Sequence, residues 1–215
     1  MLKPLKVALL VAGMAILGGC AASRSVVVPD GGATVDNPTQ GIAIRIDRVD
    51  DARRFEPSPK TPDIPSLPGD DVRNAALTSR AIARKRNSFG LALGDVLLPE
   101  GQSVSQLVDG AICTGFRRAG YRVLKPGAPG YEQATPVTAQ INEFWSWFQP
   151  GFSSVTIWNR EDITLAGPLP ALGRGITVKG EVSEQMMAVF ENDWRKIISR
   201  GLAEITEKVR AAVTR

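Results

Sequence analysis

The chain has 215 residues, with 26 Lys or Arg against 22 Asp or Glu, a formal net charge of +4, and 43% hydrophobic residues. That length fits one domain with a leader and a tether, and so small a positive excess is no argument for nucleic acid, which calls for a clustered basic footprint. There is no histidine, so the commonest metal ligand and the commonest general base are both missing.

The chain opens with Lys3 and Lys6, then an apolar stretch from Val7 to Leu17, then Leu17-Gly18-Gly19-Cys20. A basic start, a short apolar run and small residues at its end are the pattern of a secretory signal. The run is shorter than the roughly 20 apolar residues a membrane span needs. Because it closes on a cysteine, it resembles the lipobox of bacterial lipoproteins. That resemblance implies a lipid on the Cys20 thiol, cleavage just before Cys20, and an acylated (palmitate-type) amine. Two or more acyl chains give stable anchoring. The following Ala21, Ala22 and Ser23 contain no Asp, which by the same resemblance implies the periplasm-facing leaflet of the outer membrane. The mature chain, 20–215, loses Lys3 and Lys6 and carries a net charge of +2. With Cys20 lipidated, Cys113 has no partner, so a disulfide scaffold is excluded although the compartment would allow one.

Residues 21–40 are small, polar and punctuated by Gly and Pro, and read as a flexible tether. Gly41 to Asp50 alternates Ile42, Ile44 and Ile46 with polar or small residues, the period of a half-buried strand. Phe55 to Gly69 holds five prolines and reads as a surface loop. Residues 71–86 read as a short, strongly polar helix, and Phe89 to Leu98 as a strand or extended segment. From Ser103, the residues Val104, Leu107, Val108, Ala111, Ile112 and Phe116 mark one helical face, and Gly120 is placed to end it. A short strand over 121–124 follows. Three strand patterns come next, 135–148, 153–165 and 173–187, separated by turn signals. Ala188 to Val213 then carries a long apolar stripe that includes Trp194, Ile198, Leu202, Ile205 and Val209.

Two single-striped helices need one sheet face to cover. The expected class is therefore α+β: a two-layer α/β sandwich with a mixed or mainly antiparallel sheet and both helices on one face. The other face is left to water or a partner. The organisation is a signal peptide (1–19), a lipidated Cys with its tether (20–40) and one periplasm-facing domain (41–215).

Three features compete for a functional role. In the cluster Phe144-Trp145-Ser146-Trp147-Phe148, strand geometry sends Trp145 and Trp147 to the face opposite Phe144 and Phe148. Either the Pro-rich loop or the 71–98 segment covers them, or they form a binding surface. Arg84, Lys85 and Arg86, with Arg80, are either a solvated basic face or a contact for anionic headgroups. Cys113 sits at the rim of a helix stripe with no histidine to activate it. The paired acids Asp50-Asp51 and Asp70-Asp71 fit turn chemistry. No phosphate loop, nucleophile elbow or metal-binding spacing occurs, so no catalytic residue, metal or cofactor beyond the covalent lipid is expected.

The lipobox, the first strand GIAIRIDRVDDAR, the segments ARKRNSFG and LGDVLLPEGQSV, the helix ending FRRAGYRV and the amphipathic C-terminal helix together resemble the YajG-type outer-membrane lipoproteins. The resemblance covers most of residues 40–213 and implies a small periplasm-facing α/β domain on a lipid anchor, with no catalytic residues. The expected role is a non-enzymatic structural or accessory subunit that binds another envelope component through its uncovered sheet face or the 55–98 segment. The alternative is a lipid- or glycan-binding accessory of an envelope transport system, which needs a pocket between helices and sheet. Expected partners are the membrane, through the lipid, and an envelope protein, with no nucleic acid.

Overall fold

The computed structural model describes residues 24–30, 35–87 and 89–214; Cys20 and the apolar leader lie outside them. The strands are β1 (Ser25–Val26), β2 (Ala43–Asp51), β3 (Ala81–Arg86), β4 (Ala92–Leu97), β5 (Arg122–Leu124), β6 (Thr135–Pro150), β7 (Val155–Ala166) and β8 (Ile176–Met186). The helices are α1 (Ala75–Thr78), α2 (Val104–Arg118) and α3 (Glu191–Val213), with a 3-10 turn over Gly69–Arg73. All eight strands form one mixed sheet, and both long helices cover one of its faces, as the stripe argument requires.

The 16-residue strand β6 organises the sheet. One edge carries the antiparallel β7 and then β8. The other edge changes partner along its length. Its first half pairs in parallel with β2, as far as Asp51 opposite Ile141, and β5 flanks β2. Further along, Ser146 is opposite Ala83 of β3, which carries β4 and β1 beyond it.

Arg53 fills the fork where β2 and β3 part. Its side chain is fully buried and pairs with Asp51, Nη2 to Oδ2 at 2.7 Å. The same guanidinium donates to the carbonyls of Ala81 at 2.7 Å, Phe144 at 3.1 Å and Thr78 at 2.8 Å. A backbone carbonyl left unpaired in a sheet interior is costly, and one planar cation with five donors satisfies three of them.

A bulge near Asn142 shifts the register of β6 against β7 between Ile141 and Glu143. This changes the parity of the strand. Val137, Ala139 and Ile141 face the helices, and beyond the bulge Phe144 and Phe148 do so, while Trp145 and Trp147 face the opposite side.

Ser103 and Gln106 form a capping box at the start of α2: Gln106 N–H donates to Ser103 Oγ at 3.2 Å and Ser103 N–H to Gln106 Oε1 at 2.9 Å. The helix stops at Gly120, whose φ of +89° suits glycine. The start of α3 is closed from Asp193, whose carboxylate accepts from Phe190 N–H at 2.8 Å. Gly115 lets α2 and α3 approach closely, since a Cβ there would lie 2.8 Å from the Thr206 carbonyl and Val209.

Two expectations change. Residues 71–86 are not one polar helix: after the 3-10 turn and the four-residue α1, the basic stretch runs along strand β3. Helical spacing loses here because Ala81, Ile82 and Ala83 are all fully buried between the two sides of the sheet. The segment read as a free tether is tied to the domain at several points. Ser25–Val26 pairs with β4, Val27 N–H bonds the Leu97 carbonyl at 2.9 Å, Asp30 N–H bonds Ser199 Oγ at 2.8 Å, and the Asn37 amide brackets Val123.

Candidate functional site

The sheet face away from α2 and α3 is divided. Toward the N-terminal half of β6 it carries a polar ladder, in which Asn142 bonds Asp162 and Thr164 and Lys179 pairs with Asp162. Toward its C-terminal half the loop after β2, with the 3-10 turn and α1, folds over the aromatic residues and makes a second small core. That core contains Leu67, Ala81, Leu97, Trp145 and Trp147, bordered by Phe55, Val72, Leu77 and Trp158.

Trp145 lies at the bottom of this core. It is 0% exposed, its indole N–H donates to the Pro62 carbonyl at 3.1 Å, and Phe55 meets its ring edge-on at 5.9 Å between centroids. The Pro-rich loop therefore covers it, and it offers no exposed surface. Trp147 is also mostly covered. Trp158 stacks on it, 6.0 Å between centroids and 7° between planes, and the Arg160 guanidinium stands 4.7 Å from its ring centre, a favourable cation–π placement. Arg160 is held by Glu143 at 3.2 Å, Glu181 at 2.8 Å and Asp63 at 3.5 Å.

The basic run does not form a free patch. Arg84 is turned inward, 3.7 Å from the buried Asp95 carboxylate. Lys85 pairs with Glu191 at the start of α3. Arg86 donates to the Gly90 carbonyl at 3.0 Å and to Ser66 Oγ at 3.1 Å. Burial, and the neighbouring Arg84 cation, lower its affinity for the proton. Strand alternation separates these three side chains, and each finds a tertiary partner that a sequence pattern does not display.

Beside the second core lies an open cleft of about 620 Å³. Trp147, Trp158 and Arg160 form its floor, the loop residues Lys60, Thr61 and Pro62 one wall, and Arg86, Phe89 and Gly90 the other. Two of the lining residues carry an unsatisfied donor beneath its surface: Trp158 Nε1 and Arg86 Nε are buried and have no hydrogen-bond partner among the described residues. Sequence reasoning reached Trp147 and Arg86 and offered the Pro-rich loop as a cover for the tryptophans, but missed Trp158 and Arg160. The alternation of Trp158 and Arg160 on one face of β7 was a usable signal for both. Which loop residues form the wall had none, since they are about 90 residues away in sequence.

Cys113 is buried, with its thiol 3.6 Å from Asp109 Oδ1 and 3.7 Å from Lys125 Nζ. Burial, with the Asp109 charge, pushes its pKa up to about 11, which disfavours the nucleophilic thiolate. Between helices and sheet, where a lipid or glycan pocket is required, the middle of the interlayer is closed, and an open pocket of about 440 Å³ lies at one end, lined by Phe148, Val155, Val189, Phe190 and Trp194. The interlayer holds fully buried Ile44, Ile112, Phe116, Ile157, Ile163 and Ile198, and the cleft is on the opposite face.

No protein-family profile matches the chain, and no curated protein does. Solved structures of similar shape include an uncharacterized protein at 8% identity and a TM-score of 0.44, covering 89% of this chain and 97% of that one. A Xanthomonas campestris protein of the DUF330 family is similar at 10% identity and a TM-score of 0.41, covering 82% of this chain and 92% of its own. A Caulobacter crescentus protein described as a candidate lipoprotein is similar at 11% identity and a TM-score of 0.34, covering 51% of this chain and 80% of its own. Among the described residues no helix is long and apolar enough to cross a membrane.

Proposed function

We propose that the protein is a lipid-anchored, non-enzymatic component of the bacterial outer membrane, facing the periplasm, that binds another envelope protein through the cleft over Trp147 and Trp158. The observation that carries the binding half of this reading is the cleft itself: a recess of about 620 Å³ over a stacked indole pair, with the guanidinium of Arg160 against Trp147 and Arg86 in its lining. A pre-formed recess with apolar rings and a few fixed donors is what a binding site needs. The anchoring half rests on the Leu17–Cys20 sequence, and the resemblance to YajG-type lipoproteins supports it. A lipid on Cys20 would confine the domain to a surface and raise its effective concentration there, so a weak contact would be enough.

Two experiments test the reading. Metabolic labelling with a fatty-acid analogue should mark the wild-type chain and not Cys20→Ser. Photocrosslinking in intact cells from Thr61 or Gln149, at the rim of the cleft, should capture a discrete envelope protein. An unlabelled wild-type chain removes the anchor, and crosslinking from these positions that captures no protein removes the protein partner. A glycan is the second reading, favoured by the flat Trp147–Trp158 pair. It predicts that cell-wall glycan fragments change the tryptophan fluorescence and that Trp158→Ala abolishes the change.

A further inference from the structure

Among the described residues, five of the seven exposed large apolar side chains gather at one end of the molecule; Val26 and Val28, on and after β1, are the other two. Phe89 and Leu91 sit on the β3–β4 turn, Phe152 on the β6–β7 turn, and Met187 and Phe190 on the β8–α3 connection. They are 87%, 65%, 108%, 81% and 70% exposed. The register places these three connections together. β3 runs parallel to β6, with Ala83 opposite Ser146, so both strands end there. Pro150 is opposite Val155, and Val155 opposite Met186, so β7 starts and β8 stops at that same end. The Lys85–Glu191 ion pair ties the tip of β3 to the start of α3. A patch this rich in exposed aromatic and aliphatic side chains marks a contact surface on a soluble domain.

The direction of β1 says what the patch meets. β1 is parallel to β4, with Ser25 opposite Val96 and Val26 opposite Leu97. β4 runs away from the apolar end, beginning at Ala92 beside the β3–β4 turn. β1 therefore also runs away from that end, and the chain enters the domain from the apolar side. Its entry is fixed by Arg24, bonded to Asp95 at 3.1 Å and paired with Asp71. Four residue steps separate Cys20 from Arg24, a reach of about 14 Å at full extension. The same number of steps separates Asp95 from Leu91 at the apolar tip. An acyl-bearing Cys20 would keep Arg24 within about this distance of the bilayer, and a chain that continued the line of β1 would reach it at the level of Leu91.

We propose that this apolar end is a membrane-contact face, with Phe89, Leu91, Phe152, Met187 and Phe190 seated in the lipid interface beside the anchor. The cleft shares Phe89, Gly90 and Pro150 with this end, so it opens just above the bilayer. Aromatic and aliphatic residues partition into the headgroup–acyl boundary, and a second attachment of this kind turns a tethered domain into an oriented one. The inference rests on lipidation of Cys20.

The test uses the lipidated protein purified from cells and reconstituted in phosphatidylethanolamine–phosphatidylglycerol vesicles, with one polarity-sensitive fluorophore on Phe152→Cys or, at the opposite end, on Glu100→Cys. Both side chains are well exposed and contribute nothing to the core. Spin-labelled lipid should quench the probe at 152 with a blue shift, and leave the probe at 100 unchanged. If fatty-acid labelling of Cys20 succeeds while both probes report water, the contact face is wrong and the anchor stands. A blue-shifted probe at 152 that spin-labelled lipid does not quench assigns the patch to a protein and also overturns the proposal. If Cys20 carries no lipid, the orientation argument falls with it.

Discussion

Gly201 of α3 rests directly against Glu161 of β7. A Cβ on Gly201 would lie 1.9 Å from Glu161 Oε1 and 1.7 Å from Asn159 Oδ1. Glu161 is 0% exposed, and among the described residues neither of its oxygens has a hydrogen-bond partner, nor has Asn159 Oδ1. The nearby charges are also acidic: Glu204 on α3 and Glu143 on β6 both raise its pKa. Two acceptors crowded at one point are satisfied when a proton lies between them. The neutral carboxyl of Glu161 can donate to Asn159, whose own amide N–H donates to Ser146 Oγ at 2.9 Å.

Burial pushes the pKa of Glu161 from 4.5 up to about 8. Between these values the folded chain holds a proton that the unfolded chain has lost. Stability is therefore fully present below pH 4.5 and declines as pH rises toward 8, by an amount on the order of a few kcal/mol. Glu161→Gln keeps the shape, needs no proton and can still donate to Asn159. Thermal melts between pH 5 and 9 should show a falling midpoint for the native chain and a much flatter one for the variant. Equal slopes would mean that Glu161 is ionised in the fold.

Gly201→Ala should destabilise strongly. Alanine is favoured over glycine inside a helix by about 1 kcal/mol, but here its methyl would overlap two oxygens. Forced overpacking costs about 1–3 kcal/mol, and more where the neighbours are fixed. The net loss should be about 2 kcal/mol, read from urea unfolding. A stabilised variant would show that α3 can slide without penalty.

Arg53→Met should cost about 3–5 kcal/mol, because it leaves Asp51 without its partner and three carbonyls without donors. Arg53→Lys should recover only part of this, since one ammonium cannot reproduce a planar fork. Full recovery by lysine in chemical denaturation would show that charge alone matters at the fork.

The thiol of Cys113 should resist alkylation in the native state. Its pKa of about 11 and its burial leave almost no accessible thiolate at pH 8. In the lipidated chain, iodoacetamide should modify nothing until urea is added, and then one site by mass spectrometry. Rapid native labelling at Cys113 would contradict the packing of α2.

Much of this was legible in the chain. The period-2 alternation of Ile42 to Ile46, the helical face from Val104 to Phe116, the glycine stop at 120 and the stripe from Trp194 to Val213 fixed the elements, because backbone preference and amphipathic period act within a few residues. Strand alternation also separated Trp145 and Trp147 from Phe144 and Phe148, but the bulge near Asn142, which decides that the phenylalanines face the helices, had no signal in the sequence. The basic stretch at 80–86 misled, because its polarity looked like solvent exposure.

Local pattern determined which segments are helix or strand and which face of each is apolar, since those follow from short-range geometry and burial. Only the tertiary structure decided that Pro62 seals Trp145, that Arg53 closes the fork, that Glu161 lies against a glycine, and that the apolar turns share the end from which the anchor enters. Each depends on groups brought together from distant parts of the chain, where packing and charge pairing, rather than sequence period, set the free energy.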